Sequence, residues 1–274
     1  MTRLARARVG GRAVHHGWLE GATFRPLLGD AFGGQPHPGA DPVPLDEVEL
    51  LSPTVPRTVL VMWRAFRQSP EDVVDHPPHL AVKATGAGPG ADQSPVVVPG
   101  LLRGRLAAEA ELAVVIGRTA RSVSPRDAWD SIAGFTVVND VTAPELLHPS
   151  GEWPAELPKL VSGASLAKSF DTFCPIGPWI ETAVTEEMIR DGLDIITRVN
   201  GQERQRGSTS RFKFPVADVV SYASHVLTLT AGDVISLGTV GPVLVDEGDT
   251  VECEVEGVGV LHNTFVGGPK GGTE

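Results

Sequence analysis

The sequence predicts a mainly β fold with few helices, of the α+β class, and three features support this. Glycine and proline are abundant, at 31 and 23 of 274 residues, whereas tyrosine occurs once. Near the N-terminus, short strand-like runs alternate with turns that contain glycine. Further along, the apolar runs are short and rich in β-branched residues, as in buried strands. Together these features indicate a β-rich chain with many loops.

The first part of the chain is predicted to be a small N-terminal β domain, residues 1–56. Strands are expected over residues 5–9, 13–19 and 23–27, with turns at Gly10-Gly11 and Glu20-Gly21. Residues 33–44 are rich in glycine and proline and are predicted to be a surface loop. A larger domain, residues 57–274, is predicted to follow, and its first strand covers residues 58–62.

The stretch from Glu109 to Asp140 can bring three carboxylates to one place. The apolar run 112–116 is predicted to be a buried strand, and Glu109 and Glu111 share a side at its start because they are two residues apart. A second strand over residues 135–138 would deliver Asp140 at its tip. Three such charges would repel each other unless a cation neutralised them. By spacing alone, however, a Glu-x-Glu pair is more often a solvated strand edge.

Other elements have clear local signals. Between the two strands, Ser124 and Pro125 are predicted to begin a helix and Gly134 to end it. Asn200-Gly201 predicts a tight hairpin turn between strands 193–199 and 202–206. A further helix is expected to begin at Pro215, because apolar residues follow at helical spacing. The last predicted strands cover residues 234–237, 250–256 and 259–265.

Charge and cysteine content exclude several classes of protein. The net charge of −11 argues against nucleic acid and anionic membranes as partners. No apolar run is long enough to span a bilayer, and the N-terminus lacks an apolar signal region. Cys174 and Cys253 cannot form a disulfide framework and are predicted to be small core residues. A cytoplasmic protein is expected.

Three segments resemble the core of the fumarylacetoacetate hydrolase family. They read Glu109-Ala-Glu-Leu-Ala-Val-Val-Ile-Gly-Arg, Ala133-Gly-Phe-Thr-Val-Val-Asn-Asp and Lys168-Ser-Phe-Asp, the last followed by Pro175-Ile-Gly-Pro. The resemblance runs from about residue 4 to residue 265. It implies a rolled, mixed β-sheet core behind a small N-terminal β domain, a lid within residues 63–95, and a homodimer.

The resemblance also implies a metal site and a substrate class. In the family, the residues that match Glu109, Glu111 and Asp140 bind a divalent metal, and such hard oxygen ligands suit Mg²⁺, Mn²⁺ or Ca²⁺. Relatives act on small keto acids, diketones and their enols. Lys168 matches the family's active-site lysine, and Gly238-Thr239 match a Gly-Thr pair that contacts substrate. Read without the resemblance, these would be a surface lysine and a turn.

Departures from the family pattern put the reaction in question. Phe66 stands where relatives carry a histidine and Ser69 where they carry a glutamate, and this pair activates water in relatives. Phenylalanine cannot move a proton, so that route is absent. Pro144 and Leu147 replace an arginine and a glutamine that often contact substrate. Substitute bases could come from loop residues whose simpler role is solvated surface: Glu71, Asp72, His76, His79 and His148.

The predicted site therefore has three groups of residues. Glu109, Glu111 and Asp140 are the predicted metal ligands. Catalytic roles are predicted for Lys168, Thr239 and His148. Substrate contacts are predicted for Arg64, Phe66, Pro144, Leu147 and Gly238.

Three functions remain open from the sequence. The first is a metal-dependent enzyme that decarboxylates, isomerises, cleaves or cyclises a keto acid or diketone without the usual His/Glu pair. The second is a C–C bond hydrolase of the acylpyruvate type with a substitute base. The third is a binding protein without activity. The three retained carboxylates argue against the third, because clustered charge is costly to bury without a use.

Overall fold

The structure is a computed structural model that describes residues 3–11, 13–32, 37–39, 41–69, 71–86, 88–147 and 163–269. It confirms the mainly β architecture. The strands are β1 (Arg3–Val9), β2 (Ala13–Glu20), β3 (Thr23–Leu28), β4 (His37–Pro38), β5 (Val43–Pro44), β6 (Val48–Leu51), β7 (Val59–Trp63), β8 (His79–Lys83), β9 (Val96–Val98), β10 (Leu106–Ala108), β11 (Ala110–Ile116), β12 (Ile132–Asn139), β13 (Ile176–Glu181), β14 (Asp194–Val199), β15 (Gln202–Ser208), β16 (Val234–Ser236), β17 (Val243–Val245), β18 (Thr250–Val255) and β19 (Gly259–Gly267). The helices are α1 (Pro125–Ala128), α2 (Gly163–Ala167), α3 (Glu186–Asp191) and α4 (Val216–Val226).

The largest sheet joins the N-terminal strands to the rest of the chain. Its order is β4-β3-β2-β1-β13-β12-β11-β16-β7-β8, with β5 on β3 and β6 on β1. Strand β1 pairs antiparallel with β13, so main-chain hydrogen bonds continue from the N-terminal segment into the core sheet. A second sheet has the order β15-β14-β18-β19-β9, and β10 pairs with β17. Both sheets mix parallel and antiparallel pairs, because β16 runs parallel to β7 in the first and β9 runs parallel to β19 in the second.

Strand β11 lies at the centre of the core and is buried along its whole length. Leu112 and Val114 pack in the same cluster as Val251 and Phe265 of the second sheet. On the other face, Val115 packs in a separate cluster. A strand covered on both faces needs apolar residues at successive positions, which explains the unbroken apolar run.

The region between β11 and β12 differs from the prediction in one detail. Ser124 caps α1, and its Oγ accepts a hydrogen bond from the Asp127 amide. However, the helical segment ends at Ser131, and Gly134 lies inside β12 rather than at a helix end. A Cβ at Gly134 would lie 2.6 Å from the Glu181 carbonyl oxygen, so glycine is needed there for β13 to approach.

Two local predictions are confirmed, the tight turn at Asn200-Gly201 and the burial of the two cysteines. Asn200 and Gly201 both have positive φ angles, 52° and 75°, and connect β14 to β15 in a tight turn. Both cysteines are buried and free. Within the segment predicted to hold a lid, residues 79–83 form β8, which pairs with β7 at one end of the large sheet. Within the described ranges, no helix is long and apolar enough to cross a membrane.

Candidate active site

The three predicted metal ligands converge where β11 begins and β12 ends. Because these strands are antiparallel, Ala110 lies opposite Asn139, and the residues just outside that pair become neighbours. The Asp140 amide donates to the Glu109 carbonyl oxygen at 2.9 Å, which joins the two chain segments. One carboxylate oxygen each from Glu109, Glu111 and Asp140 lies within 4.8 Å of the others. All three side chains are buried.

Two buried lysines hold Asp140 from different directions. Lys168 Nζ donates to Asp140 Oδ2 at 2.5 Å, to Glu109 Oε2 at 2.8 Å and to Thr142 Oγ1 at 2.7 Å. Lys83 Nζ donates to Asp140 Oδ1 at 2.6 Å and to the Val141 carbonyl oxygen at 3.0 Å. The cluster therefore contains three acids and two ammonium groups.

Glu111 has a different environment, because neutral groups bind it. Its Oε2 accepts hydrogen bonds from Ser236 Oγ at 2.5 Å and from the Gly238 amide at 2.9 Å. No lysine or arginine of the described residues forms an ion pair with it, and its Oε1 accepts no hydrogen bond from them. Glu111 is thus the carboxylate of the cluster whose negative charge is least compensated.

The pKa values follow from this arrangement. Burial, together with the nearby charges of Asp140 and Glu109, raises the pKa of Glu111 well above its usual value. Burial would also raise the pKa of Asp140, but Lys83 and Lys168 outweigh it and lower that pKa. For Lys168, burial alone would lower the pKa, yet the surrounding carboxylates raise it. The lysine is therefore a stable ammonium group.

The donor set fits a hard divalent cation. Mg²⁺ and Mn²⁺ prefer carboxylate oxygens, and three of these converge here without histidine or cysteine. When all three carboxylates are ionised, the two lysines compensate two of the negative charges and leave one. The raised pKa of Glu111 shows that this remaining charge is unfavourable. A bound dication would remove this cost and would use Oε1 of Glu111, which accepts no hydrogen bond from the described residues.

The cluster lies at the base of a cavity of about 550 Å³. Apart from the cluster itself, the lining is mostly apolar. The described residues that line it are Val61, Met62, Trp63, Arg64, Ala65, Phe66, Gln68, Glu109, Glu111, Asp140, Leu147, Ala164, Lys168, Thr239, Val240 and Gly241. A cavity of this size holds a small organic molecule above the carboxylates.

Several predicted contact residues line this cavity, and others do not. Arg64, Phe66, Leu147 and Thr239 line it. Gly238 lies beside the cavity, where its amide binds Glu111. Pro144 begins a short 3-10 turn outside the lining. The predicted catalytic residue at position 148 lies outside the described residues.

At the two positions where the resemblance implies a water-activating pair, this chain has Ser69 and the apolar Phe66. Phe66 is 2% exposed and packs edge-to-face against Phe212, with ring centroids 5.0 Å apart. Ser69 Oγ donates to Asp72 Oδ1 at 3.4 Å, and neither residue is part of the cavity lining that contains Glu109, Glu111 and Asp140. Of the proposed substitute bases in the described chain, none lines the cavity: Glu71, Asp72, His76 and His79. The two histidines instead stack on each other, with centroids 4.4 Å apart.

Gly238 lies where the backbone beside the site is closely packed and has a positive φ, so its replacement tests how much this packing contributes to stability. Its φ is +91°, and a Cβ there would lie 2.5 Å from Ala65 Cβ and 2.8 Å from the Met62 carbonyl oxygen. We expect Gly238→Ala to lower the free energy of unfolding by about 2 kcal/mol or more, because strain and close contact combine. Thermal unfolding of the metal-free protein measures this. Gly248→Ala is the matched control, since φ there is +95° but no atom lies within 4 Å of the added Cβ. Equal losses in both variants would contradict a packing role for Gly238.

Fold and site together define a class of protein: a β-rich chain with a carboxylate cluster suited to a divalent metal beneath a ligand-sized cavity. The family model "Fumarylacetoacetate (FAA) hydrolase C-terminal" matches residues 58–266, and the model "Rv2993c-like, N-terminal" matches residues 2–53. The chain therefore belongs to the fumarylacetoacetate hydrolase family, as the sequence resemblance predicted.

Relatives with named activities differ in their reactions. The structure of 2-hydroxyhepta-2,4-diene-1,7-dioate isomerase from Mycobacterium marinum is 33% identical, with a TM-score of 0.83, over 97% of this chain and 99% of that one. Maleylpyruvate hydrolase from Sphingobium sp. SYK-6, solved with manganese(II) and pyruvate, is 26% identical, with a TM-score of 0.74, over 97% of this chain and 100% of that one. Human mitochondrial oxaloacetate tautomerase FAHD2A is 38% identical over 170 residues, which are 58% of this chain and 50% of the relative.

Sequence reasoning missed Lys83. Its ammonium group binds a predicted metal ligand, yet the two residues are 57 positions apart. The available signal was weak: a lone lysine that ends a short apolar run, residues 80–82, in a chain with few lysines. Ser236, which binds Glu111, carried no signal beyond its place in a strand.

Proposed function

We propose that this protein is a divalent-metal-dependent enzyme that acts on a small enolisable keto acid or diketone. The proposed reaction class is isomerisation, decarboxylation or related lyase or cyclisation chemistry, rather than hydrolysis of a C–C bond. The observation that carries the proposal is the combination of an intact carboxylate and lysine cluster with an apolar Phe66 in the cavity wall.

The carboxylates supply the metal site. Glu109, Glu111 and Asp140 would hold the cation, and Mn²⁺ in the structure of a related maleylpyruvate hydrolase supports a divalent ion of this type. When bound, such an ion supplies Lewis-acid polarisation of a carbonyl oxygen, which lowers the cost of negative charge on the substrate. We propose Mg²⁺ or Mn²⁺ as the ion that functions here.

Lys168 supplies a fixed positive charge next to the reacting group. Its ammonium group lies at the base of the cavity and is oriented by Glu109, Asp140 and Thr142. All three of its N–H donors are taken by these partners, so Lys168 can stabilise the negative charge that grows on a substrate oxygen through its own positive charge, or by exchanging one of these hydrogen bonds. Thr239 also lines the cavity, and its Oγ1 donates a hydrogen bond to the Gly241 carbonyl oxygen at 3.1 Å.

The apolar wall bears on the choice of reaction. Hydrolysis needs a base that activates water beside the substrate, and a well-placed base typically contributes about 10²–10⁴-fold to the rate. Phe66 cannot act as that base, and its neighbours in the lining, Arg64 and Gln68, are not bases at neutral pH either. Decarboxylation needs no water nucleophile, and a proton shift needs a proton acceptor but no activated water. The names isomerase and tautomerase among the relatives agree with this preference.

The experiment compares three readouts with Mn²⁺ or Mg²⁺ present. Oxaloacetate is followed by enol absorbance for tautomerisation and by pyruvate release for decarboxylation, and an acylpyruvate is followed for C–C cleavage. We expect metal-dependent turnover of oxaloacetate in at least one of the first two readouts, lost on chelation with EDTA. Faster cleavage of the acylpyruvate would instead favour the hydrolase, which the maleylpyruvate hydrolase neighbour represents.

A further inference from the structure

The carboxylate of Asp140 is held at both of its oxygens by ammonium groups that have different access to the cavity. Lys168 binds Oδ2 and lines the cavity, whereas Lys83 binds Oδ1 and is not part of the lining. The Lys83 side chain has no exposed surface. A ligand that enters the cavity therefore meets Oδ2 and Lys168, and Lys83 remains behind Asp140.

Lys83 is fixed by contacts that do not involve the cavity. Its backbone belongs to β8, where it pairs with Val59 of β7. Its ammonium group makes a second hydrogen bond to the Val141 carbonyl oxygen at 3.0 Å. Because these contacts do not depend on a cation in the site, Asp140 Oδ1 stays bonded to Lys83 when a cation occupies it.

We propose that Lys83 is a positioning residue that restricts Asp140 to one coordinating oxygen and thereby makes the site select against Ca²⁺. Ca²⁺ takes 6–8 oxygen ligands and often binds both oxygens of a carboxylate, whereas Mg²⁺ requires near-octahedral geometry. Lys168 lines the cavity and can release Oδ2 to a cation, whereas Lys83 has no exposed surface, keeps its bond to Oδ1 and so disfavours bidentate binding. This inference rests on the metal site of the proposed function but not on which reaction the site catalyses.

Charge and geometry must be separated to test this role. Removing the positive charge of Lys83 strengthens the attraction of the cluster for any dication, because Coulomb energy depends on charge and distance. That effect is shared by Mn²⁺ and Ca²⁺. The ratio of their dissociation constants therefore reports the geometry of Asp140, whereas either constant alone does not.

Titration calorimetry with Mn²⁺ and with Ca²⁺ on the wild type, Lys83→Met and Lys168→Met gives this ratio. We expect the wild type to bind Mn²⁺ at least about 10-fold more tightly than Ca²⁺, and Lys83→Met to reduce this preference about 10-fold, because Oδ1 becomes available. Lys168→Met is the matched control. It removes the same charge from the same carboxylate and leaves Oδ1 bonded to Lys83, but it also frees Glu109 Oε2, so we expect the ratio to fall by no more than about threefold, clearly less than in Lys83→Met.

Two results would overturn the inference. One is an unchanged ratio of the Mn²⁺ and Ca²⁺ dissociation constants in Lys83→Met, which would mean that Lys83 affects metal binding only through its positive charge. The other is a wild-type protein that binds Ca²⁺ as tightly as Mn²⁺, and this result stands even if Lys83→Met does not fold. A wild-type protein that binds neither cation would remove the metal site on which the proposed function depends, and is thus distinguishable from failure of the inference alone.

Discussion

Replacing Glu111 by glutamine is expected to weaken Mn²⁺ binding by more than about 100-fold and to remove metal-dependent activity with it. Within the described part of the chain, Glu111 is the carboxylate of the cluster without a lysine partner, so its negative charge is the one most available to a cation. The amide of glutamine keeps the shape and an oxygen for Ser236 and Gly238 but carries no charge. Calorimetric titration with Mn²⁺ measures the loss, and turnover of oxaloacetate gives the parallel readout.

The same substitution is expected to leave the metal-free fold intact. Burial already raises the pKa of Glu111, which means that the charged form is the costly one in the absence of metal. A neutral amide there avoids that cost, so the unfolding temperature without metal should be unchanged or higher. If Glu111→Gln lost the metal because it had unfolded, its unfolding temperature without metal would instead be lower than that of the wild type.

Glu181→Gln is the matched control for Glu111→Gln. Glu181 is equally buried, at 1% exposed, but it pairs with Arg3 on β13 and β1 rather than with the cluster. Its replacement should destabilise the protein and leave the Mn²⁺ affinity unchanged. If Glu111→Gln bound Mn²⁺ as tightly as the wild type, the three carboxylates could not be the metal site.

The elements that the sequence predicted well are those with local causes. The turn at Asn200-Gly201 requires positive φ at both positions, which two adjacent residues encode by themselves. The apolar run of β11 likewise reflects burial on both faces. Gly134 was assigned wrongly for a related reason. A helix end and a close approach between strands both call for glycine, and only the position of Glu181 in β13 distinguishes them.

The candidate site was predictable in part. Spacing brought Glu109, Glu111 and Asp140 together, but it could not decide between a solvated strand edge and a buried cluster. The resemblance favoured the cluster, and burial of all three side chains agrees with it. Lys83 could not be predicted because its partner is set by how β8 lies against the end of β12, and no short-range pattern records such a long-range contact.

Lys168→Met is expected to separate metal binding from catalysis. The substitution removes the ammonium group that bonds to Glu109 and Asp140, so both carboxylates become more available to a cation. We therefore expect Mn²⁺ to bind at least as tightly as in the wild type. Turnover should nevertheless fall by about 10²–10³-fold, because a preorganised positive charge next to the developing negative charge is lost.

Parallel measurement of the turnover number and the Mn²⁺ dissociation constant tests this separation. Lys213→Met is the control, since Lys213 lies in the lining of a different cavity, beside Phe212 and Phe214, and outside that of the carboxylates. It should change neither quantity appreciably. If Lys168→Met kept near wild-type turnover, the only role of Lys168 would be to compensate the negative charge of Glu109 and Asp140. In that event the polarising group for the reaction would have to be the cation itself, with Thr239 as the remaining hydroxyl donor in the described cavity lining.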